Sequence, residues 1–146
     1  MIVMLSRFRT TAPPVVIASA MATTLCMGCQ RDDGIRELTV PELSSQLTSS
    51  APPSVFDANS ARVRSEYGVI PGATMLTSAS EYDVSLLPSD KANPVVFYCS
   101  STWCSAARTA AERAREAGHT EVCVLPKGIK GWTSAGLETD KSRGEG

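Results

Sequence analysis

Apolar residues in this chain gather in short runs, and polar segments of helical character separate them. Val95-Val96-Phe97-Tyr98 is β-branched and aromatic and follows Pro94, which predicts a strand. Beyond Cys104, Ala106, Ala107, Ala110, Ala111, Ala114 and Ala117 recur at helical spacing, while Arg108, Glu112, Arg113, Arg115 and Glu116 take the other positions. Alanine on the buried stripe lets such a helix approach a sheet closely, and Gly118 is a natural terminator. Ser54-Val55-Phe56-Asp57, residues 73–76 and residues 121–125 predict further strands. Thr39 as N-cap, Pro41 in the first turn and Glu42 three residues after the cap predict a helix to about Leu47. Residues 58–67 and 78–87 predict short helices, and the glycine-punctuated stretch 127–137 a turn and a last short helix, before a frayed tail from Asp140. Strands alternating with helices give an α/β domain with a mainly parallel central sheet flanked by helices.

Parallel sheets bind ligands at the carboxyl ends of their strands, and Cys99 stands at such an end. It is followed by a tight loop, Ser100-Ser101-Thr102-Trp103-Cys104-Ser105, and then by the alanine-rich helix. Amide groups of the loop and of the helix's first turn can form a positive cradle that favours an anion and acidifies a thiol. Two readings of Cys99 stay open on these residues alone: a nucleophile, or a buried strand-end cysteine.

Composition narrows the partners. The 146 residues suffice for one domain with a real core, with 42% hydrophobic and 20% charged residues. Fourteen basic against fifteen acidic residues leave a net charge of -1, which excludes an electrostatic footprint for nucleic acid or a polybasic membrane patch. A small molecule or a protein is the expected partner, and a monomer the expected state. Cys26, Cys29, Cys99, Cys104 and Cys123 form no paired zinc-type spacing, and His119 is the one histidine, so neither a metal site nor a cofactor is expected.

The N-terminus carries Arg7 and Arg9 with no acid, then a short apolar stretch over residues 15–25, ending at Cys26-Met27-Gly28-Cys29-Gln30. This is a secretory signal pattern, too short for a convincing membrane span. Gly28-Cys29 resembles the lipobox of bacterial lipoproteins, which implies Cys29 as the lipidated first residue of the mature chain. The same resemblance implies a domain on the periplasmic side, attached to the membrane, by its Gln30 the outer membrane, through that lipid alone. Cys26 stands where such sequences commonly have leucine, and a CxxC redox pair is the alternative. Residues 1–29 are thus expected as signal and lipobox, 30–37 as linker, 38–140 as the domain and 141–146 as tail.

Phe56-Asp57, Glu66-Tyr67-Gly68-Val69-Ile70-Pro71-Gly72-Ala73, the strand ending at Cys99, the helix end at Gly118 and Gly128-Ile129-Lys130-Gly131-Trp132 with Ala135-Gly136-Leu137 stand in one order and spacing. Together they resemble the rhodanese-like sulfurtransferase family over residues 38–138. The resemblance implies a three-layer rhodanese-like domain in which Cys99 accepts a sulfane sulfur from a small-molecule donor or a protein thiol and carries it as a persulfide. Ser100, Ser101, Thr102, Trp103 and Ser105 would complete the substrate-binding loop.

The departures are as informative. Where the family has a basic residue, a glycine and an arginine, this chain has Ser100, Thr102 and Cys104. Loss of the arginine fork removes charge-assisted hydrogen bonds to an anion such as thiosulfate. Cys104 resembles the second cysteine of a C-x4-C loop variant, which implies a catalytic or redox partner for Cys99. A permanent disulfide, simple packing of Cys104, a thiol–disulfide redox protein and a noncatalytic binding module are the competing readings. A phosphatase is disfavoured by Ser105 at its arginine position. Val69 for a histidine reads as packing, and Asn59 for an arginine as loss of a bracing salt bridge. His119 and the helix arginines are expected on solvated surface, Cys123 in a buried strand, and Trp103 either at a substrate mouth or plugging its own pocket.

Overall fold

A computed structural model describes residues 34–141. Its strands are β1 (Ile35–Glu37), β2 (Ser54–Asp57), β3 (Thr74–Met75), β4 (Val95–Tyr98) and β5 (Val122–Leu125); its α-helices are α1 (Val40–Leu47), α2 (Ala61–Tyr67), α3 (Ala106–Glu116) and α4 (Gly128–Ser134). The five strands form one sheet in the order β1-β5-β4-β2-β3, with every pairing parallel. All four residues of β4 and of β5 are buried. A strand covered on both faces has no polar side to present, which is why Val95-Val96-Phe97-Tyr98 is continuously apolar.

Side-chain alternation sorts these residues into two cores. Val95, Phe97 and Cys99 face Ala107, Ala110, Ala111 and Ala114 of α3. Val96 and Tyr98 face Leu43 of α1 and Ile129 and Trp132 of α4 on the other side. The helix α1 starts as its sequence dictates: Thr39 and Glu42 form a reciprocal capping box, worth about 1 kcal/mol.

Strands β2 and β4 are neighbours whose connections leave in opposite directions, β2 to β3 at one edge and β4 to β5 on the other side. Right-handed crossovers then put α2 and α3 on opposite faces, and a crevice opens at the carboxyl ends of β2 and β4. Asp57 and Cys99 occupy that position. Asp57, fully buried, accepts the Asn59 amide at 2.6 Å and pairs with Arg64 of α2 at 3.3 Å. The Arg64 guanidinium also donates to the carbonyls of Asp57 and Leu76. The brace expected to be lost with Asn59 is thus supplied by Arg64 from one helix further on, and Val69 is a fully buried packing residue.

Several expectations are corrected. Residues 35–37, expected in a linker, form β1 against β5. Residues 78–87 contain only a 3-10 turn at Val84–Leu86, because Tyr82 is drawn into the core, where its hydroxyl donates to the Ala110 carbonyl at 2.9 Å. Asp140, expected in a frayed tail, exchanges backbone hydrogen bonds with Val69. The helix arginines are not merely solvated: Arg113 donates to the Tyr82 carbonyl and lies over its ring, and Arg115 donates to the carbonyls of His119 and Thr120.

His119 is not a solvated turn residue but 1% exposed, with Nε2 3.2 Å from the Lys91 ammonium and Nδ1 without a hydrogen-bond partner. An ammonium only donates, so Nε2 accepts and the ring is neutral. Burial and then Lys91 hold its pKa below the ordinary histidine value, against a smaller opposing pull from Asp90. The unfolded chain therefore takes up this proton first: the contribution to stability is complete above pH ~6.5 and is lost as pH falls towards the folded pKa. Urea unfolding at pH 7.5 and 5.5 should show a smaller loss of stability on acidification for His119→Gln than for the unsubstituted protein.

Candidate active site

Helix α3 begins without the usual device. Ser105 holds the N-cap position, yet its side chain makes no capping hydrogen bond. The first amides of a helix have no partner within it, and here two thiols lie beside them. The Ala106 amide favours the Cys104 thiolate and the Ala107 amide the Cys99 thiolate. From the loop, the Ser100 amide and hydroxyl act in the same direction on Cys104 and the Ser101 amide on Cys99. Four amides, assisted by the helix dipole, thus favour the anionic form of two sulfurs.

Two of the loop's carbonyls are held out of this cradle. Ile129 and Lys130, in the first turn of α4, donate to the carbonyls of Cys99 and Ser100 at 2.9 and 3.1 Å. Gly128 makes the approach possible, since any Cβ there would run into the Cys99 carbonyl, and its φ is +54°. Between these anchors the Cys104 amide closes a tight turn onto the Ser101 carbonyl at 3.0 Å.

The two thiols differ. Cys99 is 2% exposed and its thiol donates to the Cys104 carbonyl at 3.2 Å, with the Ser101 carbonyl at 3.9 Å. Burial, reinforced by the neighbouring Cys104 sulfur, pushes the Cys99 thiol up to about 12. Cys104 is half-buried. Burial raises its pKa, but the Cys99 thiol and the Ser100 and Ala106 amides outweigh that and leave it below the ordinary thiol value. Both cysteines are free thiols.

The residues expected in the site separate in space. Cys99, Ser100, Ser101 and Cys104 converge on the cradle, while Ser105 is exposed and its carbonyl accepts the Thr109 amide inside α3. Trp103 is 95% exposed and plugs no pocket, and Thr102 is exposed beside it. Cys123 is a buried strand residue, 2% exposed. Cys29 and the whole signal and lipobox segment lie outside the described residues. Sequence reasoning missed Gly128 as the loop's support and the individual amides of Ala106 and Ala107; the glycine just after a strand was the available signal. A cleft of about 740 Å³ between α1 and α4, lined by Leu47, Pro53, Pro71, Trp132 and Leu137, lies at the amino ends of β2 and β3, and neither loop cysteine lines it.

Comparison with known proteins agrees with this geometry. A family model described as Rhodanese-like domain matches residues 39–135. The chain belongs to that family. Among solved structures, a rhodanese-like domain protein from Staphylococcus aureus is 21% identical, covering 72% of this chain and 98% of its own, with a TM-score of 0.54. A protein of unknown function from Rhodopseudomonas palustris, described as a possible tyrosine phosphatase, is 19% identical over 73% of this chain and 85% of its own, with a TM-score of 0.59. The anaerobic ergothioneine biosynthesis enzyme of Chlorobium limicola is 22% identical over 73% of this chain, with a TM-score of 0.59, and this chain spans 28% of it. At these identities the likeness is one of fold. No match is found among curated proteins.

In this rhodanese-like domain the loop depends on Gly128. Gly128→Ala, forced into left-handed backbone and against the Cys99 carbonyl, should cost at least about 1 kcal/mol in urea unfolding. By displacing the loop it should also raise the reactivity of Cys99 towards a thiol reagent.

Proposed function

We propose that this rhodanese-like domain is a sulfurtransferase that takes sulfane sulfur from a small-molecule donor, carries it as a persulfide on Cys99 and delivers it to a thiol acceptor. The observation that carries the reading is a pair of free thiols, with Cys99 donating to the Cys104 carbonyl, in the loop before an uncapped helix N-terminus whose backbone amides favour their anionic forms. A bystander cysteine has no use for such surroundings. A persulfide does, because its terminal sulfur is anionic and gains from fixed dipoles in a partly dry site.

The transfer balances as two displacements. A thiolate attacks the outer sulfur of the donor, the donor's S–S bond breaks and its thiolate leaves; an acceptor thiolate then attacks the enzyme's outer sulfur and the enzyme thiolate returns. Two half-reactions on one carrier give ping-pong kinetics. With Cys104 at the arginine position, the cradle offers amides without a guanidinium fork. The donor that suits it is a thiol persulfide, whose charge is single, rather than the doubly charged thiosulfate. The reading carries with it a monomeric, exported domain, lipid-anchored through Cys29 on the periplasmic side, as its signal pattern suggests.

Sulfur transfer from glutathione persulfide to dithiothreitol is the direct assay. The double variant Cys99→Ser/Cys104→Ser, with its unfolding midpoint preserved, should lower turnover by on the order of 100-fold or more, as expected when the nucleophiles are removed. Unchanged turnover in the folded variant contradicts the reading.

A further inference from the structure

The mechanism above leaves one half of the cradle unused. Cys99, which would hold the sulfur, is 2% exposed, and its thiol is turned towards the carbonyls of Cys104 and Ser101. Cys104 is the sulfur at the mouth: half-buried, beside the 95% exposed Trp103, and fed by the Ser100 and Ala106 amides and by the Ser100 hydroxyl. An incoming donor therefore meets Cys104 before it can meet Cys99. The thiolate is the attacking form, so the sulfur that receives donors and is reachable is the one equipped to attack.

We infer that Cys104 is the entry thiol of this domain: it takes the sulfane sulfur from the donor at the loop surface and passes it inward to Cys99, beneath it. The assignment rests on the sulfurtransferase reading and deepens it by fixing the order of the two cysteines. In the first step the Cys104 thiolate attacks the outer sulfur of a thiol persulfide. A Cys104–S–S bond forms, the donor's S–S bond breaks, and the donor thiolate leaves and takes a proton from water. In the second step the proton of the Cys99 thiol passes to the terminal sulfur, and the Cys99 thiolate attacks that sulfur. The Cys104 S–S bond breaks, Cys104 returns as a thiolate and Cys99 holds the persulfide. One proton and one negative charge are present before and after, and nothing is oxidised or reduced.

The direction of the relay follows from the same surroundings. Leaving-group thiols depart more readily when their thiolate is stabilised, and Cys104 is the half-exposed thiol held below its ordinary pKa, while the Cys99 thiol is buried and bonded to carbonyls. The sulfur then rests on the cysteine from which exchange with solvent thiols is hardest. Such a relay also gives a chemical reason for a cysteine where an arginine would bind an anionic donor: the loop captures sulfur covalently instead of clamping charge.

The full chain, reduced and then mixed with glutathione persulfide, reports each step by rapid-quench intact mass and by peptide mapping after alkylation. The unsubstituted protein should gain one sulfur that maps to Cys99. Cys99→Ser should gain one sulfur that stays on Cys104 and is not stored inward. Cys104→Ser should load Cys99 at least about tenfold more slowly, the loss expected when a displaced, less acidic thiol must attack directly. Cys99→Ala serves as a second variant if the serine is poorly accommodated, and circular dichroism establishes the fold of each. Loading of Cys99 in Cys104→Ser at the unsubstituted rate, or no sulfur on Cys104 in a folded Cys99 variant, overturns the entry role while leaving the sulfurtransferase reading standing. If no form takes up sulfur, both fall together.

Discussion

The first turn of α3 has amides to satisfy and no side chain of its own to satisfy them. Ser105 sits at the N-cap but makes no capping hydrogen bond, and the Ala106 and Ala107 amides favour the thiolates of Cys104 and Cys99 beside them. A missing cap of this kind ordinarily costs a helix about 1 kcal/mol. The helix forgoes that cap at the end where the two thiols stand. The contrast with α1, whose Thr39–Glu42 capping box closes on itself, shows where this chain has left donors free for chemistry.

Everything around the loop serves that placement. Parallel pairing of β4 between β2 and β5 delivers Cys99 to the carboxyl end of a fully buried strand. The alanine stripe of α3 lets the helix lie close to the sheet, so its first turn reaches the sulfurs. Gly128 admits the α4 amides to the Cys99 and Ser100 carbonyls, which turns those two acceptors away from the thiols. Asp57 and Arg64 brace the neighbouring strand end. The outcome is a small asymmetric site, with one sulfur buried and bonded to carbonyls and one half-exposed at the loop surface.

Much of the frame was legible in the sequence because its signals are local. The β-branched run at Val95, the alanine period of α3, the capping box at Thr39 and the glycine after α3 each act over a few residues, and the elements they predict are present. What escaped depends on contacts distant in sequence. The strand β1 is three residues long and exists because β5 pairs with it. Tyr82 breaks the expected helix at 78–87 because a buried ring against α3 outweighs weak propensity. His119 is interior, and the half-buried Arg115 is tied to the His119 and Thr120 carbonyls, because the chain turns back after α3 into β5. In the site itself, the cysteines and the loop were visible as residue types at a strand end. The sharing of amides between them was not, since no residue letter records where a backbone N–H points.

Burial of Cys99 and its interaction with the Cys104 sulfur split the acidity of the two loop thiols. The most direct test of that split is the pH dependence of alkylation by iodoacetamide, followed separately at Cys99 and Cys104 by peptide mass. Cys104 should react with a midpoint below the ordinary thiol value of ~8.5, while Cys99 stays protected across the same range. Equal midpoints for the two thiols, or a lower midpoint for Cys99, would contradict it.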